Sequence, residues 1–98
     1  MAELRWTPQA ADDLDAIAAY IAADSPHFAH LFVIKVLSLV ERLELFSQMG
    51  RIVPEKGDPA IRELLFGNYR IVYRVHDEVV ELLTIYHAAR ILDISRLN

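Results

Sequence analysis

Cysteine is missing from the 98 residues, which excludes a disulfide framework, a thiolate metal site and a cysteine nucleophile. The absence fits a reducing compartment, and the chain is expected in the cytoplasm. No apolar run is long enough to cross a bilayer: the longest, LFVIKVLSLV, is interrupted by Lys35. The opening MAELRW lacks the basic segment and apolar stretch of a secretory signal. An excess of positive charge is missing too. Residues 1–49 hold seven acidic residues against Arg5, Lys35 and Arg42, and residues 50–98 hold seven of each sign, for a net charge of −4. Proteins that live on phosphate contacts ordinarily carry a clear basic excess, so direct nucleic-acid binding is not expected. There is no phosphate-cradling glycine pattern, no Gly-x-Ser-x-Gly elbow, no zinc-ligand spacing and no internal repeat. No cofactor is expected.

What remains is a globular composition, 54% hydrophobic and 24% charged. Its length suits one domain spanning residues 1–98. Glu3 to Trp6 reads as a short strand. Thr7-Pro8 is a cap followed by a proline suited to the first helical position. Ala10, Leu14, Ile17 and Ile21 then recur at helical spacing, with Asp12, Asp13 and Asp15 near the positive helix start. Ser25-Pro26 repeats the cap-and-proline signal and opens a second helix to about Leu45. There Ala29, Phe32, Val33, Val36, Leu37, Val40 and Leu43 form a wide apolar surface beside a thin polar stripe of Lys35, Ser38 and Arg42. Helices this close in sequence form an antiparallel hairpin. Residues 49–59, rich in glycine, proline and charge, read as a loop.

The last part is a meander. Ile61 to Phe66, Tyr69 to His76 and Val79 to His87 are rich in β-branched and aromatic residues, joined by Gly67-Asn68 and Asp77-Glu78. The fold class is therefore α+β, a helix hairpin packed on a small, mainly antiparallel sheet. If both turns have two residues, Phe66 faces Tyr69, Leu64 faces Ile71 and Arg62 faces Tyr73. In the second hairpin His76 faces Val79, Arg74 faces Glu81 and Arg70 faces Ile85. Leu64, Phe66, Tyr69, Ile71, Tyr73, Val75, Val80, Leu82, Thr84 and Tyr86 then belong against the helices. The opposite face carries Ile61, Glu63, Leu65, Arg70, Val72, Arg74, Glu81, Leu83, Ile85 and His87. Its apolar residues alternate with charges, which reads as a binding surface.

On that face Arg74 has Glu81 directly across and is expected to pair with it, while Arg70 has Glu63 only on the diagonal. Arg70, facing an isoleucine, is the more functional candidate. His87 and Arg90 end the last strand, where their spacing directs both toward one mouth beside Arg70. Arg51, after Gly50, is another arginine that the loop can bring near the sheet. His27 and His30 lie one helical turn apart without a further ligand nearby, and no metal site is expected. The candidate target- or partner-binding set is Arg51, Arg62, Arg70, Arg74, His87 and Arg90.

The stretches WTPQAADDLDAIAAYI, GR at 50–51, IREL at 61–64, YRIVYRV at 69–75 and IYHAARIL at 85–92, in this order, resemble the ParE branch of the RelE/ParE toxin superfamily. The resemblance implies the toxin of a type II toxin–antitoxin module of the plasmid-stabilisation kind. ParE-like members are inhibitors of DNA gyrase, and RelE-like members are ribosome-dependent messenger RNA endonucleases. It also implies neutralisation by a small antitoxin, for the ParE branch a ParD-like protein with a ribbon-helix-helix DNA-binding end, in a toxin–antitoxin hetero-oligomer. Nuclease members are similar in placing a basic residue where Arg70 stands and others near the end of the last strand, which Arg70, His87 and Arg90 match. They also carry more basic residues and a late tyrosine, whereas ILDISRLN follows Arg90 here. RNA cleavage needs a base, an acid and cations around the phosphorane. Gyrase inhibition without enzymatic activity is the expectation, with the nuclease as alternative and an inactive antitoxin-binding module as a second.

Overall fold

The computed structural model describes residues 1–89. Strand β1 (Glu3–Trp6) leads into helix α1 (Pro8–Ala22), and helix α2 (Pro26–Glu41) continues as a 3-10 turn over Arg42–Glu44. Short strand β2 (Arg51–Ile52) precedes the meander of β3 (Ile61–Phe66), β4 (Tyr69–His76) and β5 (Val79–His87). The sheet order is β1-β5-β4-β3-β2, with β1 parallel to β5 and the other pairs antiparallel.

Both helices begin where the cap signals place them. The Ala10 N–H donates to the Thr7 hydroxyl and the Phe28 N–H to the Ser25 hydroxyl, each at 3.2 Å. Pro8 and Pro26 take first-turn positions, where a missing N–H costs nothing. Ala10, Leu14, Val36, Val40 and Leu43 pack against Ile71, Tyr73, Val80, Leu82 and Ile85 to form the main core. The polar stripe of α2 is exposed at Lys35 and Ser38, and Arg42 beyond the helix is exposed too. Gly67 and Asp77 occupy the turns with φ of 56° and 52°, the left-handed conformation that tight hairpins require.

Two expectations need correction. Residues 51 and 52, read as loop, pair with Glu63 and Arg62 and extend the sheet by one strand. Between β4 and β5 the register holds from His76–Val79 to Tyr73–Leu82 and then shifts, pairing Val72 with Thr84 and Arg70 with Tyr86. Leu83 is the extra residue of a bulge, and no local residue preference announces it. A one-residue slip exchanges the two faces of everything beyond it. Ile85, expected outside, enters the main core, and Tyr86, expected against the helices, joins the opposite side. Asp13 of α1 fastens the bulge: its carboxylate accepts hydrogen bonds from the Thr84 hydroxyl and the Ile85 N–H.

The outer sheet face is also better covered than its alternation suggests. Val53 folds over it and buries Ile61, Val72, Leu83 and Tyr86 in a second apolar cluster. Leu65 stays exposed, at 55%.

Candidate functional site

Beside this second cluster lies a network of charges. Glu63, on β3, has a fully buried side chain. Its carboxylate accepts from Arg51 Nε at 2.6 Å and from Arg70 Nε at 2.5 Å. The remaining edge of Arg70 donates from Nη1 and Nη2 to the two oxygens of Glu55, each at 2.7 Å. Below lies the Tyr86 ring, whose centroid is 5.1 Å from the guanidinium carbon. Two arginines and two carboxylates thus close a neutral quartet, with only 8% of the Arg70 side chain exposed. Such two-point contacts are among the strongest charged hydrogen bonds.

The quartet shifts the groups within it. The hydrogen bond from Arg70 holds Glu55 down to about 2, against the opposing effect of its burial. Arg70 is raised in turn, by Glu55 first and Glu63 second. Burial pushes the Tyr86 hydroxyl up to about 12. That hydroxyl is buried without a hydrogen-bond partner among the described residues.

Arg62 and Gly50 build the neighbouring corner. Arg62 donates from Nη1 to the Gly50 carbonyl and from Nε to the Pro59 carbonyl, both at 3.0 Å, which pins the two ends of the covering loop. The Gly50 N–H donates to the buried Tyr73 hydroxyl at 3.0 Å, and burial raises that phenol. A Cβ on Gly50 would stand 2.6 Å from both the Glu63 carbonyl oxygen and the Tyr73 hydroxyl. The Gly-Arg pair is therefore a packing requirement followed by a partner for Glu63.

Arg70 and His87 do not share the mouth expected for them. With the bulge in place, Arg70 faces Tyr86 and lies in the outer network, whereas His87 faces Tyr69. The His87 ring meets the Tyr69 ring edge-on at 5.4 Å, and Tyr69 meets Phe32 of α2 in the same manner at 5.1 Å. Backbone Ala89 N–H donates to His87 Nδ1 at 3.2 Å. Arg90, and the 91–98 tail after it, lie outside the described residues. Arg74 faces Glu81 as expected, and Glu81 also bonds His76 Nε2 at 3.0 Å. His27 and His30 are exposed on α2.

Two further surfaces stand out: a cleft that no sequence feature marks, and the wide apolar surface expected of α2. A cleft of about 370 Å³ runs between α1 and the end of the sheet, lined among others by Asp13, Tyr20, Tyr69, Tyr86 and His87. Helix α2 leaves Phe28, Leu31, Ile34 and Leu37 exposed, each by two-fifths or more. The exposed apolar residues therefore lie chiefly on this helix, and among the described residues the sheet keeps only Leu65 and Ile52 of them.

An α-hairpin on one face of a mixed five-strand sheet is the architecture of a toxin-type domain of the RelE/ParE superfamily. Residues 4–92 match the model of the ParE toxin of the type II toxin–antitoxin system parDE. The chain belongs to that ParE toxin family. It is 34% identical over 92 residues to Toxin RelE2 of Caulobacter vibrioides, covering 93% of this chain and 100% of the relative. Over 87 residues it is 37% identical to the putative toxin Y4kP of Sinorhizobium fredii, covering 87% and 86%. Among solved structures, it superposes on the chromosomal ParDE system from P. aeruginosa with a TM-score of 0.72 at 29% identity, covering 89% of this chain and 96% of the other. The toxin–antitoxin complex RelBE2 of Mycobacterium tuberculosis shares the fold, with a TM-score of 0.57 at 21% identity and coverage of 88% and 96%.

Proposed function

We propose that this type II toxin acts on a protein target, DNA gyrase, rather than by cleaving RNA, and that a ParD-like ribbon-helix-helix antitoxin neutralises it in a hetero-oligomer. The observation that carries this reading is the closure of Arg70. A guanidinium serving a scissile phosphate needs an open donor edge, and in the free protein Glu63 and Glu55 take both edges, so an RNA phosphate would first have to displace a two-point carboxylate. His87 contacts Tyr69, away from the quartet, so the pair expected to supply acid–base chemistry beside a cation is divided. A net charge of −4 adds no attraction for a polyanion.

The exposed apolar residues of α2 support a protein partner, since an amphipathic helix can lie across Phe28, Leu31 and Ile34. The solved ParDE and RelBE2 neighbours are toxin–antitoxin systems, which supports an antitoxin as that partner. Induced expression tests the reading. Gyrase inhibition gives filamentous cells with DNA-damage signalling, and the purified toxin blocks supercoiling by gyrase. Abrupt arrest of translation with cut messenger RNA overturns it in favour of the nuclease. Growth unaffected by a folded toxin overturns it in favour of an inactive antitoxin-binding module.

A further inference from the structure

Glu63 and Glu55 hold Arg70 in different ways. Glu63 is enclosed within β3 and bridges two arginines. Glu55 comes from the exposed stretch between β2 and β3, its side chain is 30% exposed, and it fills the outward Nη edge of Arg70. The turn carrying it closes on itself, with the Lys56 and Gly57 N–H groups donating to the Val53 carbonyl. Glu55 can therefore swing away without breaking a ladder hydrogen bond. With Glu55 away, Glu63 still holds the Nε of Arg70, and the outward Nη edge is left to water or to another carboxylate, which it binds in two-point geometry.

We infer that the Nη edge of Arg70 is a carboxylate-binding site that Glu55 occupies in the free protein, and that an Asp or Glu side chain of a protein partner replaces Glu55 when the partner docks on the outer sheet face. The site already accepts a carboxylate in two-point geometry. Leu65, directly across from Arg70 and exposed, provides an apolar neighbour to this polar centre. A desolvated charge beside apolar contacts is the arrangement in which one residue dominates an interface.

The choice of partner for the test rests on the antitoxin reading; the site itself does not. The full chain and Glu55→Gln are titrated with the antitoxin encoded beside the toxin gene. Removing the internal competitor is expected to tighten binding about tenfold. In parallel, each Asp and Glu of the antitoxin is changed to its amide, and one substitution is expected to weaken binding to the unchanged toxin about tenfold. An acidic scan without such a position overturns the inference, even where Glu55→Gln does not fold. Unchanged or weaker binding by a folded Glu55→Gln overturns it as well. A third arm needs no partner: sodium acetate is expected to shift the Arg70 Nε resonance of Glu55→Ala saturably, and sodium chloride at equal ionic strength is not. If the antitoxin does not bind the unchanged toxin, the antitoxin reading fails and the acetate titration alone decides the site.

Discussion

The two faces of the sheet are buried by different physics. On the helix side, Leu43, Val36 and Val40 meet Ile71, Tyr73 and Leu82, and apolar area removed from water holds the layers together. On the outer side, Val53 covers a smaller apolar cluster, and the rest is Glu63, Arg70, Glu55 and Arg51. Apolar packing degrades gradually when one residue is trimmed. A buried charge network fails abruptly, because each charge depends on its partner. The helix face therefore stabilises the domain, whereas the outer face is where a binding event can exchange one charge for another.

The largest expected effect lies in the network. Glu63→Ala removes the carboxylate shared by Arg51 and Arg70, and should cost about 3–5 kcal/mol in denaturant unfolding. Leu43→Ala, in the apolar layer, should cost about 2–5 kcal/mol. Replacing Glu63 and Arg70 together by methionine sharpens the contrast. It removes both enclosed charges and should recover most of the loss, because a buried ion pair is often no more stabilising than apolar residues of like volume. Non-recovery would mean that the outer face depends on its charges as heavily as the helix face depends on its apolar contacts.

Next comes Gly50→Ala, which forces a methyl against the Glu63 carbonyl and the Tyr73 hydroxyl. Overpacking of this kind costs about 1–3 kcal/mol. The loss should appear in thermal unfolding. Unchanged unfolding would show that the Gly-Arg corner can relax.

The acid limb of stability should be smaller and specific to the outer face. Glu55 has an ordinary value of 4.5 and is held at about 2 in the fold. A depressed carboxylate contributes stability that is fully present above its unfolded value and is lost as pH falls through its folded value. Unfolding measured from pH 5 to pH 2 should therefore show a slope that Glu55→Gln reduces. An identical slope in the variant would show that other carboxylates carry it.

The elements were legible because their signals are local. Thr7-Pro8 and Ser25-Pro26 marked two helix starts, and Gly67 and Asp77 marked two turns. The register was legible only up to Tyr73. Beyond it the Leu83 bulge is stabilised by Asp13, 71 positions away from Thr84, and no neighbouring residue pair encodes that contact. The same slip separated Arg70 from His87 and put Tyr86 under the guanidinium. Glu63 was visible as a diagonal neighbour of Arg70, but Glu55 was not. It sits in a stretch where charge and proline signal a loop and nothing signals its destination. Likewise, alternation showed the outer face as half apolar without showing that Val53 covers it.

The smallest expected effect on stability, at His87, separates folding from action. Its ring is half-buried, touches the Tyr69 ring and accepts one backbone N–H from Ala89. His87→Ala gives up one aromatic edge contact, about 0.5–1 kcal/mol. For a domain of this size that lowers the unfolding midpoint by roughly 4–8 °C at most. Arg70→Ala, by contrast, leaves Glu63 and Glu55 without their shared cation and should unfold the outer face. Lost toxicity in Arg70→Ala is thus ambiguous on its own, whereas lost toxicity in a folded His87→Ala is not. Growth inhibition and thermal unfolding are to be measured on both variants in parallel. The expected result is a folded His87→Ala with weakened growth inhibition, because His87 lines the cleft that opens between α1 and the sheet. Full toxicity of that variant would remove the cleft from the target interface and leave the exposed α2 residues Phe28, Leu31, Ile34 and Leu37 as the surface to alter next.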